Sequence, residues 1–382
     1  MKDLVVLGAT GSIGSQTLEV AARLGLRIMA VAARAPSPRL VQVAAAWPDA
    51  VVAVAGSSGD GPAAALAELP NEVMVGSDAA AHVASFSDVT VVNGIVGASG
   101  LEPSVSALEA GNRLALANKE SLVAGGSLVT AARDRGGGEL IPVDSEHSAM
   151  FQVLVGERIE RVRRLVLTAS GGPLRGMPAD RLADVTPAEA LAHPTWTMGP
   201  RITVDSATLM NKAFEVIEAH HLFGIDYEAI GVIVHPQSVI HSLVEFVDGA
   251  VIAELGFPDM RIPIQYALTY PDRLPAPVEA FSLAGTDLHF EQPDGATFPA
   301  LALGYEAGRR GGSAPAALNA ADEVAVAAFL GGAIGFRSIA EVASRTLDAV
   351  PWRPVGSVAD VLAADKEARA TAAGIVEGLS AS

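Results

Sequence analysis

The chain has 382 residues, 50% of them hydrophobic and 18% charged, a balance that excludes a disordered polyelectrolyte. At roughly 150 residues per domain it has room for two or three domains. Its 43 acidic against 26 basic residues give a net charge of −17, which argues against nucleic-acid binding, since that depends on basic surface. Without cysteine there are no disulfides, thiolate metal sites or cysteine nucleophiles, which fits a reducing, cytoplasmic setting. Every apolar stretch is broken by charge, Pro or Gly before the roughly 18 residues of a membrane helix, so no membrane contact is expected. The apolar run after Met1-Lys2-Asp3 reads as a first strand rather than an export signal, because cleavage there would remove the glycine motif that follows.

Strand-like runs at 4–7, 28–33, 51–54, 89–92, 114–117 and 140–143 alternate with Ala/Leu-rich helical stretches, which predicts an α/β fold whose N-terminal part is a doubly wound parallel sheet of Rossmann type. Directly after the first strand, Gly8-Ala9-Thr10-Gly11-Ser12-Ile13-Gly14 opens into a predicted helix over 16–24. Glycines there let backbone approach a pyrophosphate at a helix N-terminus, whose N–H groups and dipole favour anions. A plain strand-to-helix turn would look the same in isolation; the position inside a βαβ pattern favours the nucleotide. At the end of the second strand, where an acid would accept a ribose 2′-hydroxyl, stands Ala32-Ala33-Arg34, a pattern that suits NADP over NAD. Arg34 is then either a 2′-phosphate contact or a solvated loop charge.

In Pro142-Val143-Asp144-Ser145-Glu146-His147-Ser148 two carboxylates stand two residues apart, and in extended chain they would point to one side. The second acidic segment, Asp205 to Glu218, is helical by its Leu209/Phe214/Ile217 spacing and puts Asn211, Glu215 and Glu218 on one polar stripe. A third carboxylate joining the first two makes an all-oxygen set suited to Mg²⁺ or Mn²⁺, whereas a solvated helix face and a strand-end cap would explain the same spacing. Between them, Leu167-Thr168-Ala169-Ser170-Gly171-Gly172-Pro173 predicts a strand running into a turn able to offer a hydroxyl and N–H groups to phosphate, or simply a turn. His193-Pro194-Thr195-Trp196-Thr197-Met198-Gly199-Pro200 is too rich in turn residues for a helix and reads as a mobile cover, unless Trp196 is a core anchor.

Further along, strands over 231–235 and 239–247, an Asp248-Gly249 hairpin turn and a strand over 250–255 predict a second sheet with a face able to pair with another subunit. Residues 270–293 are Pro-rich and linker-like, and the Ala-rich 298–379 predicts a small helical bundle. Asn319-Ala320-Ala321-Asp322-Glu323 is acidic enough for a metal, but a helix start is the more economical expectation. The expected division is 1–144 for the nucleotide domain, 145–269 for a central α+β catalytic and pairing domain, 270–297 for a linker and 298–382 for the helical domain.

These segments, with Leu116-Ala117-Asn118-Lys119-Glu120-Ser121-Leu122, Val234-His235-Pro236-Gln237-Ser238 and Gly256-Phe257-Pro258-Asp259-Met260-Arg261, resemble the 1-deoxy-D-xylulose 5-phosphate reductoisomerase family in the right order over nearly the whole chain. The resemblance implies metal-dependent isomerisation of 1-deoxy-D-xylulose 5-phosphate and NADPH reduction to 2-C-methyl-D-erythritol 4-phosphate, in isoprenoid precursor biosynthesis, by a homodimer. It implies Asp144, Glu146 and Glu215 as ligands of Mg²⁺, Mn²⁺ or Co²⁺, with Glu218 close by. Lys119, Glu146 and Lys212 would be catalytic. Ser145, Ser170, His193, Ser206, Asn211 and Lys212 would gather around the sugar phosphate, closed over by Trp196 and Met198. Gly8, Thr10, Gly11, Ser12, Ile13, Gly14, Arg34, Asn118, Lys119 and Glu120 would contact NADPH. One departure stands out: many relatives carry a Gly-Lys-Asn-like turn after the second strand, and here it reads Ala33-Arg34-Ala35-Pro36-Ser37. A semialdehyde dehydrogenase sharing the glycine turn would need a cysteine. A non-catalytic NADP sensor would have no use for three acids and Lys212.

Overall fold

A computed structural model describes residues 2–56 and 60–380. It divides into two compact units, one of Met1–Ser121, Ser127–Ser148 and Asp259–Ala280, the other of Leu122–Gly126, Ala149–Pro258 and Phe281–Ser382.

The chain begins as alternating strands and helices: β1 (Asp3–Leu7), α1 (Ser12–Leu24), β2 (Ile28–Ala33), α2 (Pro38–Ala46), β3 (Val51–Val54), α3 (Asp60–Ala67), β4 (Val73–Val75), α4 (Ala79–Ala84), β5 (Val89–Asn93), α5 (Leu101–Glu109), β6 (Arg113–Leu116), α6 (Lys119–Gly136), β7 (Glu139–Pro142) and α7 (Ser145–Leu154). The seven strands make one parallel sheet in the order β4-β3-β2-β1-β5-β6-β7. Strands rich in Val, Leu and Ala lie in its centre because both faces of a parallel sheet are covered; Leu4 to Leu7 are wholly buried. Helix starts follow local chemistry. Ser37 caps α2 by accepting from Leu40 N at 3.2 Å, with Pro38 in the first turn, and Gly25 ends α1 in the left-handed conformation. The strand order reverses between β1 and β5, and ligands of such sheets bind outside the carboxyl ends of strands at this switch point. β4, which the sequence pattern does not mark, is a short edge strand whose Val73 and Val75 are exposed.

The second unit contains β8 (Val162–Ala169), α8 (Pro187–Ala190), α9 (Pro200–Thr208), α10 (Met210–Phe223), β9 (Ile230–Val234), β10 (Ile240–Phe246) and β11 (Val251–Leu255). Its mixed sheet runs β11-β10-β8-β9, with β9 parallel to β8 and β10 antiparallel to both β8 and β11. The turn into β11 is made by Asp248, which accepts from Ala250 N at 2.9 Å, and by Gly249 at φ 91°. The chain then returns to the first unit as α11 (Arg261–Thr269), where Arg261 is held by Asp259 and Glu19 at 2.7 Å each. That clasp gives the Asp259-Met260-Arg261 motif a structural task, tying α11 to α1. Before α12 (Ala300–Arg310), Glu291 forms an isolated antiparallel bridge with Val234. α13 (Ala314–Leu330), α14 (Phe336–Ala349) and α15 (Val358–Ser380) complete the helical part, packing Leu318, Phe329, Phe336 and Val342 into the core that also contains Phe214 and Ile217.

Two expectations change here. Asn319 to Glu323 lie inside α13 rather than at its start, with Asn319 and Asp322 wholly buried. The segment from Asp205 to Glu218 is two helices, because Leu209 takes φ 65° and breaks the ladder between them.

Gly8 is constrained twice over in the first turn: its φ is +74°, and a Cβ there would sit 2.5 Å from the Gly94 carbonyl oxygen. Gly8→Ala is expected to lose about 1–3 kcal/mol of stability, seen as a lower urea midpoint; an unchanged midpoint would mean the turn accommodates a side chain.

Candidate active site

In the first unit, the glycine turn leaves β1 at the switch point and enters α1. Gly11 N donates to Gly8 O at 2.9 Å, and a Cβ on Gly14 would strike Gly8 and Ala9 backbone, so the turn stays bare and close-packed. Ser12 and Gly11 are exposed, Thr10 and Ile13 half-buried. Arg34 is exposed just after β2. Arg39, which the sequence did not single out, lies on the first turn of α2 and donates to Ser15 Oγ on α1 at 3.4 Å. Only its place after the Ser37-Pro38 helix start could have marked it.

Asn118 and Glu120 are buried rather than open to a ligand. Asn118 donates to Ile95 O at 2.7 Å and to Glu120 at 2.8 Å, while Glu120 accepts from Gly97 N at 2.9 Å. Together they hold the loop that follows β5, and Asn118 also caps α6 by accepting from Ser121 N. Lys119, between them, points to Asp144 at 3.2 Å, both side chains being less than a fifth exposed.

Asp144 differs from the extended geometry expected for it. The chain turns into α7 immediately after it, so Asp144 O accepts from Ser148 N at 2.8 Å and its carboxylate accepts from Glu146 N at 3.3 Å. A carboxylate at a helix start satisfies N–H groups that have no partner in the helix, and that local gain overrides strand geometry. The buried His147 brings Nδ1 to 3.3 Å from Asp144, and Ser145 Oγ donates to Glu146 at 2.5 Å. Asp144 and Glu146 therefore share one helix start, each with a positioned partner.

In the second unit, His193 organises the turn-rich segment. Its Nδ1 accepts from Thr195 N at 3.1 Å and Trp196 N at 2.9 Å, so the ring proton resides on Nε2 and is donated to Ser170 Oγ at 2.9 Å. Ser170 Oγ also accepts from Gly172 N at 3.1 Å, which leaves its own hydroxyl hydrogen to donate outward. Gly171 and Gly172 both have positive φ, and a Cβ on Gly172 would lie 2.5 Å from Ser206 O, so this turn abuts the last turn of α9. Trp196 is half-buried with its ring 6.5 Å from that of His241 on β10, a neighbour with no mark in the sequence beyond being a histidine in a strand. Met198 is half-buried, and the 194–199 stretch has no helix, as expected.

The break at Leu209 ends α9 just after Ser206 and starts α10 at Met210, which puts Asn211 and Lys212 in a helix's first turn. A non-glycine residue at positive φ is strained, and such strain collects at functional sites. Asn211 Nδ2 donates to Glu215 at 2.6 Å, and Lys212 Nζ donates to the other oxygen of the same carboxylate. Lys212, Glu215 and Glu218 are all buried.

The comparisons with known proteins agree along the whole chain. The DXP reductoisomerase family is matched in three stretches: "1-deoxy-D-xylulose 5-phosphate reductoisomerase" over residues 4–126, its C-terminal domain over 140–223, and "DXP reductoisomerase C-terminal domain" over 255–371. The 1-deoxy-D-xylulose 5-phosphate reductoisomerase of Thermosynechococcus vestitus is 47% identical over 97% of this chain and 92% of its own length. The chain belongs to the 1-deoxy-D-xylulose 5-phosphate reductoisomerase family. The enzyme of the same name from Chlorobaculum tepidum is 49% identical over 97% of this chain and 99% of its own. A solved structure of the Zymomonas mobilis reductoisomerase in complex with NADPH matches with TM-score 0.91 and 41% identity, covering 99% of this chain and 100% of that one. A DOX-P reductoisomerase in complex with NADPH, fosmidomycin and magnesium matches with TM-score 0.90 and 36% identity over 99% and 98% of the two chains.

Burial disfavours the imidazolium of His193 and holds its pKa below the ordinary 6.5. The neutral ring is the form that accepts both amides, so its contribution to order in this segment is complete above the unfolded-state value and is lost as pH falls through the lowered folded one. With Trp47 and Trp352 replaced by Phe, Trp196 emission should stay constant through neutral pH and change only below 6.5. A transition at or above that value would contradict the tautomer assignment.

Proposed function

We propose that this chain isomerises 1-deoxy-D-xylulose 5-phosphate and reduces the product with NADPH to 2-C-methyl-D-erythritol 4-phosphate, with a divalent cation as cofactor, as its family does in isoprenoid precursor biosynthesis. The observation that carries this is the buried Lys212–Glu215–Asn211 set at the start of α10, a desolvated charged group of the kind active sites maintain, in a chain of this family. On this reading residues 1–144 bind NADPH, 145–269 carry the chemistry and subunit pairing, 270–297 connect, and 298–382 buttress the second unit.

Asp144, Glu146 and Glu215 are the proposed cation ligands, with Glu218 in support. An all-carboxylate set with no cysteine suits a hard cation, Mg²⁺ by the family's solved complexes, with Mn²⁺ or Co²⁺ as substitutes. The bound cation supplies Lewis acidity at the substrate's ketone and neighbouring hydroxyl oxygens, and NADPH supplies the hydride. The chain's own groups do the rest. Lys119, with its Nζ 3.2 Å from Asp144, offers a donor to substrate oxygens. Ser145 orients Glu146 through its hydroxyl. Ser170, with its outward O–H, Ser206 on the last turn of α9, and Asn211 and Lys212 at the start of α10 offer donors for the phosphate, and a helix start favours an anion. His193 holds Ser170 and the segment bearing Trp196 and Met198, which closes over the carbon skeleton and excludes water.

For the cofactor, the turn from Gly8 to Gly14, with Thr10, Gly11, Ser12 and Ile13, receives the pyrophosphate. Arg34, joined by Arg39, takes the 2′-phosphate in place of the Gly-Lys-Asn turn of many relatives. Lys119 and the loop held by Asn118 and Glu120 line the nicotinamide end. We assign the enzyme to the cytoplasm on its lack of cysteine, and no helix among the described residues is long and apolar enough to cross a membrane. A homodimer would pair through the second sheet, where edge strand β11 exposes Val251 and Ile252.

Substrate-dependent NADPH oxidation should vanish with a chelator and return with Mg²⁺. Glu215→Gln should lower kcat by about a thousandfold or more, an electrostatic loss of the size seen for key stabilising groups, while calorimetric NADPH affinity stays nearly unchanged. Turnover that ignores the chelator would point to a metal-free dehydrogenase, and none at all to a non-catalytic sensor.

A further inference from the structure

Helix α9 joins two parts of the proposed substrate site. It begins directly after the 193–199 segment, and its last turn carries Ser206. Arg201, in its first turn, is engaged by several acceptors within the second unit. One guanidinium nitrogen donates to Glu323 at 2.7 Å and another to Asn319 Oδ1 at 2.7 Å, with Asp322 at 3.4 Å; Nε lies 3.6 Å from Asp205, one turn further along α9. Asn319, Asp322 and Glu323 all belong to α13. Arg369 of α15 takes the other oxygen of Glu323 at 2.5 Å and pairs with Asp365 at 2.6 Å.

Asp322 is wholly buried and Asp205 nearly so. Burial raises Asp322 to about 6 against the pull of Arg201. None of these groups is among those assigned to substrate, cation or cofactor, so the catalytic motifs leave the network without a task. A well-packed apolar contact of the same volume would hold two helices together as strongly. What a forked guanidinium adds is direction, since its donors meet several acceptors only at one placement of α9.

We propose that Arg201 is a positioning residue: by gathering Asp205 of α9 with Asn319, Asp322 and Glu323 of α13, it sets α9 so that the 193–199 segment and Ser206 meet the phosphate end of the substrate. This rests on the phosphate contact proposed for Ser206.

The test uses the full-length enzyme with Mg²⁺. Arg201→Lys keeps the charge but loses the fork; it should raise KM for the sugar phosphate about tenfold, a loss of roughly 1.4 kcal/mol, with kcat lowered less and NADPH affinity and thermal midpoint near those of the unaltered protein. Arg201→Met strands several buried acids and can fail to fold, so the lysine variant carries the decision. Ser206→Ala tests the underlying phosphate assignment and should also raise KM. If Ser206→Ala raises KM while Arg201→Lys does not, the positioning role is overturned and the phosphate assignment stands. If Arg201→Lys only lowers the thermal midpoint, Arg201 is a structural prop and the proposal fails. If Ser206→Ala leaves KM unchanged, the phosphate assignment fails and this inference goes with it.

Discussion

Glu215 and Lys212 are paired one helical turn apart on α10, with 1% and 4% of their side chains exposed. Taking a carboxylate and an ammonium out of water costs several kcal/mol for each ion, and removing either partner alone leaves an uncompensated charge worth about 3–5 kcal/mol. Their placement therefore has to be defended by everything around it. Asn211 occupies the second oxygen of Glu215, Phe214 and Ile217 seal the flanks, and the left-handed Leu209 starts the helix at the register that makes the pair possible. The first unit repeats the device with Lys119 beside Asp144 at 3.2 Å. Each unit thus aims a carboxylate by means of its own lysine.

Around these pairs the fold supplies rigid mounts of two kinds. In the first unit a parallel sheet with both faces covered presents the glycine turn, the loop held by Asn118 and Glu120, and the Asp144 helix start, all at carboxyl ends of strands. In the second, β8 delivers Ser170 to a turn whose Gly172 backbone lies against Ser206, and one neutral histidine ties that turn to the segment carrying Trp196. Hydroxyls, helix starts and a single imidazole make a donor-rich surface without asking for more buried charge than the two lysines bring.

Much of this was legible in the residues. Runs of Val, Leu and Ala located the long strands of the first sheet to within a residue or two, since a covered parallel strand has no other way to look. The glycine turn declared itself because close backbone approach excludes side chains. The short β4 left no mark: three residues at an edge, two of them exposed valines, carry no burial pattern. Asp144 was expected in extended chain, yet its carboxylate caps α7, and the spacing Asp-x-Glu is the same in both. The division at Leu209 was hidden because leucine is a strong helix former that seldom adopts positive φ, so only tertiary packing could put it there. Asn319 to Glu323 looked like a helix start because acids favour one; their partner, Arg201, stands more than a hundred residues away, beyond the reach of any local pattern.

The central claim of the proposed function is that Asp144, Glu146 and Glu215 are the ligands of a divalent ion. Mn²⁺ titration followed by electron paramagnetic resonance addresses it directly, because free aqueous ion is counted and no turnover is needed. The account predicts one tight ion per chain in the unaltered protein, lost in Asp144→Asn and in Glu215→Gln alike. A variant of either kind that binds Mn²⁺ as tightly as the unaltered protein would contradict it.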